Sequence, residues 1–418
     1  MSRFNTSSTH PIIPNSQNYM YEKKYVSIHS EDRNILRFPN SNEFEVELPQ
    51  DYCNVEAVRL SQWTFPANYN TFSGAKNNIF MTFKIINPYN PGDPAHLSND
   101  PLLEAIFSAL YANIENNYLV IIAEGFYTPE QIATELTNRF NAIVTNYILS
   151  YLNLHPEIPN QTDLINEFIS QGGYNQFVVA YNIVGQKLWF GNKSSDFVIT
   201  NSIITNITNT AKILECGRNQ LPVYSDWGLS NYLGFSKCDA YTSSSGAEIN
   251  AVNGISGLPR FYYGDVVPGD NGYWLVPDKQ YTGAIVYFLE APGKINLMGE
   301  AYFYLEIAGM NNLDETMPFA LSPYTTSTNG TNGIVNSAFA KIAVTTTPIS
   351  QWFDDSMESY KWYNPPAERI RKIKLKIRYH NGMPVEFGDF NYSITLEFSI
   401  FNPQIARRVN LYSPNNSL

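Results

Sequence analysis

From Lys372 to Tyr379 the chain alternates without a break, with Lys372, Lys374, Lys376 and Arg378 interleaved with Ile373, Leu375, Ile377 and Tyr379. A period of two sends neighbouring side chains to opposite faces of an extended backbone, so the stretch predicts a strand with one apolar and one basic face. His380-Asn381-Gly382 then reads as a turn, because Asn and Gly tolerate positive φ. A second alternating strand follows in Tyr392, Ile394, Leu396, Phe398 and Ile400. Two amphipathic strands so placed read as the pair that closes a sheet.

Other short runs carry the same signature. Glu43-Phe44-Glu45-Val46-Glu47-Leu48 alternates acidic with apolar residues and is expected to stop at Pro49, and a second strand is expected from Val55 through Trp63, closed by Pro66. Tyr118–Ala123, Gln176–Tyr181, Lys187–Phe190, Asp196–Thr200, Ala301–Ile307 and Ala338–Val344 are further candidate strands, the middle three as a hairpin and its neighbour. Helical spacing appears after Asp100-Pro101, with Leu103, Ile106, Leu110 and Ile114 on one face. It appears again after Thr128-Pro129-Glu130-Gln131, a capping-box start followed by Ile132, Leu136, Phe140 and Ile143. A weaker helical pattern covers Leu164 to Ile169. The fold class that results is mainly β, a β-sandwich of jelly-roll type with a few inserted α-helices.

The expected organisation is an extended or disordered N-terminal arm over 1–24 and a first β-rich lobe over 25–238, with helices near 101–115 and 129–145. A loop-rich insertion over 239–283, a second β-rich lobe over 284–405 that completes the sandwich, and a tail over 406–418 follow. With 418 residues and 44% hydrophobic content, the core needs no staple of disulfide or metal.

Composition also narrows function. Charged residues are 16% of the chain, against roughly 25% in an ordinary soluble domain, while aromatics reach 14%, led by 29 tyrosines. A surface poor in charge and rich in Tyr suits contact with neighbouring proteins, and equally a Tyr-rich sandwich core. The net charge of -11 argues against direct nucleic-acid binding, which works by displacing counterions with an excess of Lys and Arg. Cys53, Cys216 and Cys238 are too few and too scattered for a disulfide framework or a zinc site. No apolar stretch approaches the roughly 18 residues of a membrane span, and the polar N-terminus does not read as a signal peptide.

The search for chemistry nominates no catalytic, cofactor-binding or metal-binding residue. His10, His29, His96, His155 and His380 lie far apart, and Gly191-Asn192-Lys193-Ser194 misses the register of a phosphate loop. Asp354-Asp355 is adjacent in sequence and so points two ways on a strand. What remains is the basic face of Arg369, Arg371, Lys372, Lys374, Lys376 and Arg378, the candidate assembly contact. It also admits a plain reading as a solvated edge that resists aggregation, and a third as a direct contact to DNA. Trp352 and Trp362, in aromatic-rich segments, motivate an alternative reading as a carbohydrate-binding module or receptor-binding appendage.

Four segments carry a family resemblance. They are Lys24–Asn34 leading into Phe38-Pro39 and the Phe44–Leu48 strand, Glu124-Gly125-Phe126-Tyr127-Thr128, Leu233-Gly234-Phe235, and Pro365–Ile370 continued by Arg378–Gly382 and Val385-Glu386-Phe387. In that order and spacing the chain resembles the minor capsid or capsid-associated structural proteins of nucleocytoplasmic large DNA viruses. The resemblance implies a non-enzymatic β-sandwich that builds or braces an icosahedral shell, found in the virion and in host cytoplasm during assembly. The implied partners are the major capsid protein and other minor capsid proteins, with a homo-oligomer also open and no cofactor. A place beneath the lattice, at a vertex or in an appendage is equally compatible.

Overall fold

The computed structural model describes residues 21–66, 70–96, 98–200, 228–235, 240–245, 274–315, 336–344, 351–354, 360–380, 382 and 384–401. Most of the expected N-terminal arm over 1–24, the C-terminal tail, most of the 239–283 segment, His10, Cys216 and Cys238 lie outside them, while the last four residues of that arm, 21–24, begin a strand paired to the C-terminal one. The chain runs through β1 (Tyr21–His29), β2 (Glu43–Pro66), β3 (Phe80–Asn87), α1 (Pro101–Ala112), β4 (Tyr118–Ile121), α2 (Pro129–Leu154), α3 (Gln161–Ser170), β5 (Phe177–Asn182), β6 (Lys187–Asn192) and β7 (Asp196–Thr200). After a helical turn at Leu229–Tyr232 come β8 (Tyr241–Thr242), β9 (Ser244–Ser245), β10 (Tyr287–Glu290), β11 (Tyr302–Ile307), β12 (Leu313–Glu315), β13 (Asn336–Ala338), β14 (Ala340–Ala343), β15 (Gln351–Asp354), β16 (Tyr360–Arg378) and β17 (Ser393–Phe401). The architecture is mainly β, in antiparallel sheets with a few inserted helices.

Two compact units form, and neither of the expected sequential lobes maps onto one of them. The first unit gathers the described residues of 21–69, 300–318 and 329–401, the second those of 70–299. The reason is pairing between chain ends: β1 runs antiparallel to β17 along its whole length, Tyr21 opposite Phe401 and His29 opposite Ser393. In the first unit the sheet order is β1-β17-β2-β16-β11-β14, with β15 also on β2. β16 and β17 are thus not a closing pair; they flank β2 on either side.

Pro49 does not end the first strand. β2 is one strand of 24 residues, and Pro49 falls where its register with β16 shifts, between the pairs Ile370 with Tyr52 and Lys372 with Glu47. The extra β2 residues there leave the ladder, and a bulge is where a strand tolerates a residue without N–H. A second shift lies between Trp362 and Ala367, around the cis Asn364–Pro365 bond.

The rings of the first core show that this sheet folds over itself. Phe65 at the end of β2 meets Phe303 of β11 with centroids 4.9 Å apart, and Phe387 and Tyr392 close the cluster at 5.6 and 4.9 Å from Phe65. β16 lies between those two strands, with Tyr360 opposite Arg59 and Arg378 opposite Tyr304. Laid flat, that length of strand would hold the rings tens of ångströms apart, at roughly 3.3 Å per residue. Only a sheet bent into two layers brings them together, which makes the unit a β-sandwich around one core.

In the second unit, β4-β3-β7-β8 and β5-β6-β10-β9 are separate four-stranded sheets, so β7 neighbours β3 and not the β5–β6 hairpin. α2 starts with the expected reciprocal box, Thr128 Oγ1 accepting from the Gln131 N–H and Gln131 Oε1 from the Thr128 N–H. It continues nine residues past the expected end because Ile148 and Leu152 extend the buried stripe of Ile132, Leu136, Phe140 and Val144. Phe140 stacks on Phe83 of β3 at 4.4 Å and meets Phe177 of β5 edge-on, so one helix ties both sheets together. Each such ring, fully buried, contributes about 2–3 kcal/mol of hydrophobic stabilisation.

The Leu233-Gly234-Phe235 segment is explained by a close backbone approach. Gly234 has φ +91, its carbonyl accepts from the Gly293 N–H at 2.8 Å, and a Cβ on it would fall 2.3 Å from the Gly293 oxygen. Leu233 and Phe235 on either side are buried. Only glycine fits between them.

Candidate assembly face

Five of the six basic residues stand on the outer face of the β2–β16 ladder. Ile373 and Leu375 turn inward beside Val46 and Phe44, and the intervening side chains turn out. Opposite them stands the acidic half of the β2 alternation: Lys372 faces Glu47, Lys374 faces Glu45 and Lys376 faces Glu43. Lys372 Nζ lies 3.3 Å from Glu47 and 3.5 Å from Glu45, and Lys374 Nζ lies 2.6 Å from Glu43. The Glu43 carboxylate, by hydrogen bond and charge, holds Lys374 above the usual lysine range. Among the described residues no ion pair of Lys376 is found.

The two arginines are less fully matched. Arg369 and Arg371 share one carboxylate, Asp51, at 3.6 and 3.9 Å, and both guanidinium groups remain more than half exposed. Arg371 and Lys372 are consecutive yet both point out, because the register shift resets the alternation between them. The face is therefore a mixed-charge ladder, close to neutral at its Lys end and cationic at its Arg end. Its long-range field is weak, and its individual exposed pairs contribute at most about 1 kcal/mol each.

Arg378 is elsewhere. It is 1% exposed, forked between Glu306 of β11 and Glu315 of β12, and donates to the Tyr379 carbonyl at 3.1 Å. Its outward position is taken because Glu315 lies over this end of the sheet. His380 Nδ1 is 2.9 Å from the second oxygen of Glu315. Burial, then the Glu315 carboxylate, pushes the neighbouring Tyr304 phenol up to about 12. A second buried charge is Glu397 of β17, which binds Arg59 of β2 at 2.6 Å and Lys23 of β1 at 2.8 Å. Burial acts to raise its pKa, but the hydrogen bonds from Lys23, Arg59 and Tyr25 outweigh it and hold Glu397 below the usual carboxylate range.

Sequence reasoning missed the acidic partners Glu43, Glu45, Glu47 and Asp51. The signal was present as two alternating runs of opposite charge with the same spacing, one near each end of the chain.

Among the described residues several remaining polar groups are engaged locally. A shallow groove of 540 Å³ beside the start of α2 carries Glu124, Glu130 and Glu135. Glu124 accepts the Gly74 N–H at 2.9 Å, and Glu135 accepts from Arg139 at 2.7 Å and from the Ala123 N–H at 3.2 Å. His29, His96 and His155 each bond locally, to Ser27, the Asn90 carbonyl and the Tyr151 carbonyl. Among the described residues no group of His, Cys, Asp and Glu could hold a metal ion, and no helix is long and apolar enough to cross a membrane.

Neither a protein-family model nor a curated protein matches the sequence. Among solved structures the chain is similar to the mavirus penton protein, with TM-score 0.37 and 8% identity over 91% of this chain and 99% of that one. It is also similar to a chain of the Sputnik virophage, with TM-score 0.33 and 12% identity over 91% of this chain and 97% of that one. At these scores and identities the likeness fixes neither fold nor function.

Proposed function

We propose that this chain is a non-enzymatic structural protein of a large icosahedral DNA virus particle, a minor capsid protein that acts by docking to the major capsid protein and to other minor capsid proteins. One observation carries the reading: the segments that resemble that family are the places where the scaffold is tied together. Ser30 of the first segment exchanges hydrogen bonds with Tyr392, its N–H donating to the Tyr392 carbonyl and its Oγ accepting the Tyr392 N–H, both at 2.9 Å. Gly125 of the second bridges Phe72, Gly234 of the third meets Gly293, and Val385 of the fourth donates to the Ile377 carbonyl. A frame tied together at those segments is suited to presenting surfaces to neighbouring proteins. The outward face of β2 and β16, with Arg369, Arg371, Lys372, Lys374 and Lys376, is the proposed contact, strongest at its arginine end.

The test is composition. Purified particles should contain the chain at fixed stoichiometry by quantitative mass spectrometry, with its density assignable in particle reconstructions. Absence from purified particles overturns the proposal.

The reading as a carbohydrate-binding appendage draws support from Trp362, which is 63% exposed and stacks on Tyr360 at 5.6 Å. Glycan binding that disappears in Trp362→Ala would favour it.

A further inference from the structure

β2 turns a corner at Asn54. That residue takes φ +53, and Tyr52 stacks on Phe398 at 4.8 Å although Phe398 stands opposite Val58, six residues further along β2. From Val55 to Arg59 the strand lies between β16 and β17, but from Glu43 to Asn54 it pairs with β16 alone among the described residues. β17 runs antiparallel to β2 as far as Ile400 opposite Val55, so the chain leaves Phe401 at the head of that open edge. A bare edge of this length is a template for another strand, and Pro49 withdraws only one donor from it.

The residues that follow Phe401 match the edge in two ways. β16 passes the same corner by leaving the ladder over Tyr363-Asn364-Pro365-Pro366, between the pairs Trp362 with Ala57 and Ala367 with Val55. Phe401-Asn402-Pro403 repeats that order of aromatic, Asn and Pro directly after the pair Ile400 with Val55, and a proline without N–H suits the place where a strand steps out of its ladder. Beyond the corner β2 packs Tyr52, Leu48 and Val46 against the core, at steps of four and then two residues. Ile405, Val409 and Leu411 have the same steps, so one antiparallel register sets Ile405 opposite Tyr52, Val409 opposite Leu48 and Leu411 opposite Val46. Charge plays no part in the choice, because Glu43, Glu45, Glu47 and Asp51 already have cations in Lys374, Lys372, Arg37, Arg369 and Arg371.

We propose that residues 402–412 add an antiparallel strand to the open edge of β2 in the same chain, with Asn402-Pro403 turning the corner beside Asn54. The added strand closes the edge next to the outward β2–β16 face, so that face meets a partner through its side chains and not by strand addition. The first test is amide exchange on the full chain. Val409→Asp/Leu411→Asp should speed exchange over residues 43–53 by about tenfold or more, while α2 and β11 keep their protection. The second is disulfide trapping in a background of Cys53→Ser, Cys216→Ser and Cys238→Ser. Glu47→Cys/Asn410→Cys, directly opposite in this register, should bond faster than Glu47→Cys/Tyr412→Cys, and heavy and light isotope-labelled chains mixed before oxidation should show the bond within one chain. Unchanged exchange over residues 43–53, or bonding no faster at 410 than at 412, overturns the proposal. Bonds that join a heavy to a light chain overturn it in favour of the same segment donated by a neighbouring copy.

Discussion

Lys374 pairs with Glu43 diagonally, two residues from the Glu45 that stands opposite it, and Lys372 divides between Glu45 and Glu47, so the ion pairs of the ladder run along β2 as well as across to it. Reversing Lys374 to Glu would set three carboxylates beside one another. Lys374→Glu is expected to lower stability by about 1 kcal/mol, and Glu43→Lys/Lys374→Glu to recover most of it, measured by chemical denaturation at low salt. The swapped variant also separates folding from docking: restored stability with reduced incorporation into particles would mark the face as a contact, and normal incorporation would mark it as a solvated ladder.

Glu397 joins three adjacent strands through Lys23 and Arg59, and its own side chain is 1% exposed. Its folded pKa is depressed, so its contribution is present above the ordinary Glu range and lost as pH falls through the lower folded value. Glu397→Gln should cost about 2 kcal/mol at pH 7, less than a fully buried pair because Lys23 remains in water. In thermal melts from pH 2.5 to 7 the gap between variant and wild type should narrow below about pH 4. A gap that does not change with pH would remove the ionised carboxylate as its cause.

Arg378→Met would take the shared cation from the buried Glu315 and the part-buried Glu306. The expected loss is about 3–5 kcal/mol at neutral pH. Adding Glu315→Gln to Arg378→Met should recover part of the loss at pH 7, read from denaturant midpoints.

How much of this was legible follows from what each signal depends on. The helix starts at Asp100 and Thr128 are local chemistry, and both caps form as the sequence implies, Asp100 accepting from the Leu102 N–H and Thr128 from Gln131. Strand periodicity is also local, which is why Phe44, Ile373, Leu375, Ile394 and Leu396 were recognisable as core. Partner choice is not local. Nothing near β17 announces that β1 and β2 are its neighbours, and the turn at Gly382 made a hairpin with β16 the economical reading. Pro49 misled for the same reason: it stops a regular ladder but not a strand whose partner slips register there. The basic strip was visible, its neutralising acids were visible, and only their pairing across more than 300 residues was hidden. Arg378 shared the alternation of its neighbours but not their exposure, because the carboxylate that buries it comes from β12.

The edge of β5 supplies a last test, since a helix covers it by imitating a strand. From α2, Asn141 Oδ1 accepts the Phe177 N–H and its Nδ2 donates to the Phe177 carbonyl, each at 2.9 Å, and Thr137 Oγ1 accepts the Val179 N–H at 2.9 Å. An uncovered edge presents unpaired backbone groups to other chains, and here side chains satisfy them. Asn141→Ala should leave two groups of a buried residue unpaired, costing about 2 kcal/mol and exposing the edge. Asn141→Asp keeps the acceptor but loses the donor, and should cost less above the carboxylate range. Amide exchange at Phe177 should accelerate in Asn141→Ala while exchange within β1 and β17, in the other unit, stays unchanged. Concentration-dependent light scattering should rise in the same variant, and further with Thr137→Val. Unaltered exchange at Phe177 would mean that packing by Phe140, not the polar seal, protects the edge.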